Sequence, residues 1–231
     1  MPQPKKPAQA TRGKLTEVTI ALMAQGIRTP PTSTSLTAST AAKGATTVTV
    51  SGITSEIQAG QALLFIDPTD DSQYLAIVSA KAAASATSLT VLALGEAIPA
   101  DAVAQYPPRA MLRSSADLST EADTAEVDSF DHVNKDYIPL GNSSEFSLEG
   151  MYTHYDPARH TCAFAQRNGL EIYWTRTFGP PNAKYTKGEV QSGFGIVTSV
   201  EESAPNDEMV GNSVTIQVTS RLPDVLPTPI A

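Results

Sequence analysis

Cysteine is almost missing from this 231-residue chain. It has one, Cys162, so no disulfide can form within the chain. Charge is sparse as well: 17% of residues are charged against 41% hydrophobic, the composition of a folded protein low in charge. No apolar run approaches the roughly 20 residues a membrane-spanning helix needs. The opening MPQPKKPAQATRGK lacks the apolar centre of a secretory leader. A protein made in the cytoplasm, with no membrane partner, is expected. The short enzyme motifs are absent too: no G-x-S-x-G elbow, no P-loop and no dinucleotide glycine fingerprint. No catalytic residue and no cofactor is expected.

What charge there is lies unevenly. Residues 1–50 carry six basic side chains and one acidic one, Glu17; residues 51–231 carry ten basic and 23 acidic. An acidic body argues against tight DNA binding, which depends on neutralising phosphates. The basic start, with Lys5, Lys6, Arg12 and Lys14, reads as an assembly arm that lies on the acidic body of a neighbouring copy. The stretch 114–131 holds Asp117, Glu121, Asp123, Glu126, Asp128 and Asp131 with no basic residue. It reads either as an acidic lumen wall or as a solvated face.

HYDPARHTC, 154–162, concentrates His154, Asp156, His160 and Cys162. Asp156 followed by Pro157 is a helix start, an N-cap carboxylate and then a proline whose missing N–H costs nothing there. Asn168-Gly169 is the matching stop, so a helix over about 157–168 is predicted. Zinc on a helix wants ligands at i and i+3 or i+4. From His160 those positions hold Ala163 and Phe164, so no metal site is expected and Cys162 reads as a small packed hydrophobe.

Elsewhere Val, Thr, Ser and Gly punctuation points to strands. Residues 1–43 read as an arm, a first strand near Lys14–Ala24 and a polar, weakly structured linker over 29–44. Residues 44–107 read as an inserted β module with an internal repeat: 45–65 aligns with 86–106 at an offset of 41, Ala45, Thr46, Thr49, Val50, Ile57 and Ala59 meeting Ala86, Thr87, Thr90, Val91, Ile98 and Ala100. Two copies are too few for a solenoid, so a pseudo-symmetric barrel or clip is expected. Residues 108–222 read as a larger β domain with the one helix, and 223–231 as a tail. In that domain Glu145, Ser147 and Glu149 alternate with Phe146 and Leu148, a half-buried strand with an acidic outer face. Gly188, Gly193 and Gly195 suggest bulges or close approach.

Three passages, in this order, resemble the major tail tube proteins of tailed bacteriophages: Val127–Asp131; then Ser147, Gly150, Tyr152 or Tyr155, Asp156 and Pro157; then Gly193, Gly195, Val197 and Thr198. The likeness covers about 115–222. It implies a mainly β fold, a tail-tube sandwich or barrel with one flanking helix, to which this chain adds a small inserted β module. It also implies six subunits per ring, inner sheets joined into a barrel, and rings stacked into a tube that houses the tape-measure protein and later passes viral DNA. Partners would then be further copies and the tape-measure, terminator and baseplate proteins, and the location the virion tail after synthesis in the host bacterium.

The insert departs from the simplest family members, which leaves a terminator or baseplate component of related fold open. A virion decoration or carbohydrate-binding module would use exposed aromatics, with Tyr137, Tyr152, Tyr155 and Tyr173 as candidates. A hydrolase built on Cys162 and His160 is the remaining alternative.

Overall fold

Short Thr- and Val-rich runs between turns make β structure the cheapest way for this chain to pair its backbone. The computed structural model describes residues 17–111, 113–127, 136–179, 185–203 and 210–229. In chain order the strands are β1 (Glu17–Leu22), β2 (Thr34–Ala38), β3 (Thr47–Ser51), β4 (Ala62–Ile66), β5 (Gln73–Ile77), β6 (Ser88–Thr90), β7 (Val103–Tyr106), β8 (Arg113–Val127) and β9 (Asp136–Met151). The helix α1 (Pro157–Asn168) follows, then β10 (Glu171–Phe178), β11 (Tyr185–Lys187), β12 (Glu189–Ser203), β13 (Gly211–Arg221) and β14 (Thr228–Pro229). The fold is mainly β, with one helix among the described residues.

The first sheet has the antiparallel order β1-β10-β12-β13-β9-β8. It cannot be flat. β9 and β10 stand three positions apart, about 14 Å in a flat sheet, yet Phe146 and Trp174 stack with centroids 4.4 Å apart. The curl is made in β12, whose register against β13 shifts at Phe194/Gly195 and again at Val197/Ser199. Gly195 permits it, because a Cβ there would meet a methyl of Ile216 and the carbonyl of Gln217. The curled sheet closes around α1, burying Val18, Ile20, Ile172, Trp174, Phe146, Leu148, Val214 and Ile216 against Ala158, Cys162 and Ala165.

The second sheet has the order β5-β4-β7-β2-β3-β6, and a bridge between Val78 and Val91 joins its two ends into a small barrel. The repeat is visible in its hydrogen bonds as a pseudo-twofold. Ala41 pairs with Ile98 as Ala82 pairs with Ile57, and the N–H of Val50 reaches Thr87 as that of Val91 reaches Thr46. Gly44 donates to Leu94 as Ser85 donates to Ile53. In each pair one partner moves forward by 41 and the other back by 41.

One expectation is corrected here. The polar passage 29–44, read as weakly structured, contains β2, which pairs with β3 and β7 at the centre of the barrel. Its single large apolar residue, Leu36, is fully buried. Thr and Ser carried no apolar period of their own, and the partners that hold β2 lie far along the chain.

The barrel is docked on the curled sheet. Tyr173, Phe194, Ala21 and Met23 belong to its apolar core. Gln61 is fully buried between the two parts: its Oε1 accepts from the Leu22 N–H at 2.7 Å and its Nε2 donates to Thr161 Oγ1 at 3.0 Å. Thr161 Oγ1 also accepts from the Ala62 N–H at 3.1 Å. The side-chain polar atoms of Gln61 and Thr161 are all hydrogen-bonded, as burial requires.

Candidate assembly surface

An exposed strand edge is an unfilled row of donors and acceptors, so the margins of a sheet decide what can join it. The β1 margin is sealed by its own chain. Ile20 N–H donates to Pro108 at 3.1 Å, Ala110 N–H donates to Val18 at 2.8 Å, and Gln61 takes the Leu22 N–H. The β8 margin is different: β8 pairs with β9 on one side and with no described strand on the other. A second margin opens within β12. Its pairing with β10 ends at Ile196, whereas its pairing with β13 continues to Ser203. Residues 197–203 of β12, with β13, β9 and β8, therefore form a four-stranded half-sheet open on both sides among the described residues.

The two faces of that half-sheet differ in chemistry. The inner face carries Val197, Val214, Ile216, Phe146 and Leu148, all buried. The other face carries Asp117, Ser119, Glu121, Glu145, Ser147, Glu149, Glu201, Ser213, Thr215 and Gln217, placed there by strict alternation in paired registers. Five acids, Asp117, Glu121, Glu145, Glu149 and Glu201, stand on that face; the Arg176 guanidinium, buried at the β8 margin beside Ala116, is within electrostatic reach of Asp117. Such a surface repels phosphate and takes water.

The candidates read from the sequence fall as follows. Asp117 and Glu121 lie on this acidic face, two positions either side of Ser119. Asp123 and Glu126 lie further along β8, where only the backbone is described; Asp128 and Asp131 lie outside the described residues, as do Lys5, Lys6, Arg12 and Lys14. Two further acids, adjacent in β12, point to opposite faces: Glu201 joins the acidic face, opposite Ser213, and Glu202 pairs with Arg159 of the helix. Sequence alternation alone had already put Glu145 and Glu149 outward. The margins themselves carry no sequence mark, because an edge is defined by which partner is missing.

At the helix, Asp156 accepts from the Ala158 N–H at 3.0 Å, and Gly169 ends the helix in the left-handed conformation with φ 61°. Pro157 occupies the first turn and is buried. Asp156 is also the buried partner of Arg113, which ties the start of β8 to the helix. Burial pushes the Asp156 carboxyl up, and the Arg113 charge pulls it back. Cys162 is fully buried, and burial raises its thiol to about 12; a thiol held there is neutral at ordinary pH and out of reach of a substrate. His160 is half-buried, lowered by desolvation, and its Nε2 lies 3.0 Å from the His154 carbonyl. Among the described residues no group of three or more His, Cys, Asp or Glu side chains is placed to hold a metal.

Of the aromatics proposed as carbohydrate contacts, Tyr173 is corrected: it is buried, packed on Phe194 beneath the barrel. Its exposure was expected because the barrel that covers it comes from a distant part of the chain. Tyr152 lies under the Arg159 guanidinium at 4.6 Å, Tyr155 is half-buried, and the side chain of Tyr137 lies outside the described residues.

No protein-family model matches the chain, and no curated protein matches it. Two solved tail structures are similar to it. One is the tail of an empty GTA particle, computed with helical refinement in C6 symmetry: 14% identity over 52% of this chain and 83% of that one, with a TM-score of 0.36. The other is the SPP1 tail tube, a hybrid of solid-state NMR and cryo EM: 15% identity over 75% of this chain and 80% of that one, with a TM-score of 0.40.

Proposed function

We propose that this chain is a tail tube subunit, a structural virion protein whose copies join margin to margin into rings that stack into a conduit for viral DNA. The observation that carries the reading is the half-sheet of β12, β13, β9 and β8. It is open at both sides among the described residues, and one of its faces carries five acids. Two open margins on opposite sides make a head-to-tail contact that closes into a ring when the rotation allows. Turning the acidic face to the lumen lets DNA pass without sticking, since phosphates meet like charge. The resemblance of the sequence to tail tube proteins supports a ring of six and tape-measure, terminator and baseplate proteins as partners, and the charge of the N-terminal arm suits it to lie on a neighbouring copy.

Nothing in this role needs a catalytic group. The barrel lies on the β1–β10 side, away from the half-sheet, so it would stand outside the lumen. Negative-stain microscopy of the purified chain, together with sedimentation across a range of salt and protein concentrations, tests the reading. Rings or tubes with a central channel are expected. A solitary monomer under every condition would sink it.

A further inference from the structure

The two open margins of the half-sheet are each stopped by a side chain from inside the fold. Arg176, buried in β10, donates through Nη1 to the Ala116 carbonyl of β8. Gln166 of the helix donates through Nε2 to the Thr198 carbonyl of β12 at 3.0 Å. A carbonyl already engaged in this way is a poor start for a ladder with another chain. The free parts are therefore β8 from Asp117 onward and β12 from Ser199 to Ser203.

Within one copy the registers run straight across: Ser199 faces Thr215, Thr215 faces Ser147, and Ser147 faces Asp117. If the next copy joined with no axial slip, its Ser199 would meet Asp117, and the ladder would have to run through Ala116, whose carbonyl is engaged. A slip of an odd number of residues turns the neighbour's apolar face into the water. A slip of two sets Glu201 against Asp117, and a slip of six sets it against Glu121, like charges directly opposite in both cases. A slip of four in the same direction starts at the first free residue of β8 and uses the whole of Ser199–Ser203. Asp117 then faces Ser203, Ser119 faces Glu201, and Glu121 faces Ser199, each acid opposite a serine. The reverse slip would lead Asp117 toward Gly195, in the part of β12 already paired with β10.

We propose that neighbouring copies join through an antiparallel ladder of Asp117–Glu121 on Ser199–Ser203, with Arg176 and Gln166 as the end stops that set its register. The proposal rests on the tube reading and adds the interface to it. It continues the alternation of the four strands, which an even number allows. It also fixes the pitch of the closed barrel. Four residues of slip across four strands is one residue per strand, about 3.3 Å of rise for each ~4.8 Å of spacing. That is a strand tilt of roughly 35°, at the lower end of the 35–45° that closed barrels adopt.

Disulfide trapping tests it, since the one native thiol is buried. Chains carrying S119C with E201C are expected to give, on mild oxidation of assembled material, a ladder of covalent multimers on non-reducing gels. Chains carrying S115C with E201C report the register without slip and are expected to stay monomeric on the gel. All three positions lie on the half-exposed or exposed polar face, so folding is not at stake. Tubes that cross-link through S115C with E201C, or tubes that cross-link through neither pair, would overturn the ladder and leave the tube reading standing. An absence of any assembly would overturn both. A Gln166→Ala variant, exposed and outside the core, adds an independent readout: tubes of uneven diameter are expected by microscopy, and unchanged uniform tubes would remove Gln166 as a stop.

Discussion

The barrel and the half-sheet treat the same problem in opposite ways. Both are antiparallel, but the barrel is built from strands of three to five residues and the half-sheet from long ones, 15 residues in β8 and 16 in β9. In the barrel the two end strands are joined at Val78 and Val91, and its backbone bonds are repeated by the pseudo-twofold. In the half-sheet β8 and the last part of β12 keep open margins among the described residues. The lesson is that internal closure suits a part that must stand alone, while an open margin suits a part that is completed by something else. A side chain at each end of such a margin decides where completion starts.

The largest effect should come from breaking the closed part. Phe65 is fully buried in the barrel core, and Phe65→Ala should cost about 3–5 kcal/mol. Thermal unfolding followed by circular dichroism should then show the midpoint fall by roughly 10 °C or more. Less severe is the seam. Gln61→Leu leaves the buried Leu22 N–H without its acceptor and should cost about 1–3 kcal/mol. Calorimetry should show one transition dividing into two, since the seam is what joins barrel to sheet; a single sharp transition of unchanged midpoint would mean that apolar packing alone joins them.

The helix offers a pH test, read as a slope. The Cys162 thiol is raised from its ordinary 9.0 to about 12 by burial, so the folded state favours the neutral thiol. Its contribution is fully present below pH 9 and is lost as pH rises from 9 toward 12, by about 1.4 kcal/mol per unit. Urea titrations between pH 8 and 11 should show that slope, and Cys162→Ala should flatten it. The smallest effect concerns the open part. Its acidic face is repeated in every copy, so added salt should promote assembly by screening. The combined Glu145→Gln and Glu149→Gln variant should lower the salt needed, each change contributing up to about 1 kcal/mol. Light scattering against ionic strength checks this, and assembly that weakens with salt would place basic groups against that face.

How much of this could be read in advance depended on range. The helix bounds were legible because Asp156-Pro157 and Asn168-Gly169 act on backbone within one turn. The outward Glu145 and Glu149 were legible because alternation is a property of one strand. β2 was not legible: Leu36 is buried only because β3 and β7 flank it. The burial of Tyr173, the seam at Gln61 and the stops made by Arg176 and Gln166 were hidden for the same reason, each resting on residues far away in the chain.

The pseudo-twofold has one further consequence. Gly60 and Asp101 occupy equivalent corners and share a left-handed backbone, φ 92° and 65°. A Cβ at Gly60 would collide with the Phe164 ring of the helix, whereas Asp101 is exposed. The twin halves are thus no longer interchangeable: docking has frozen one corner as glycine and left its counterpart at liberty to carry a side chain. Whatever new feature this small domain acquires has room to arise on the Asp101 half.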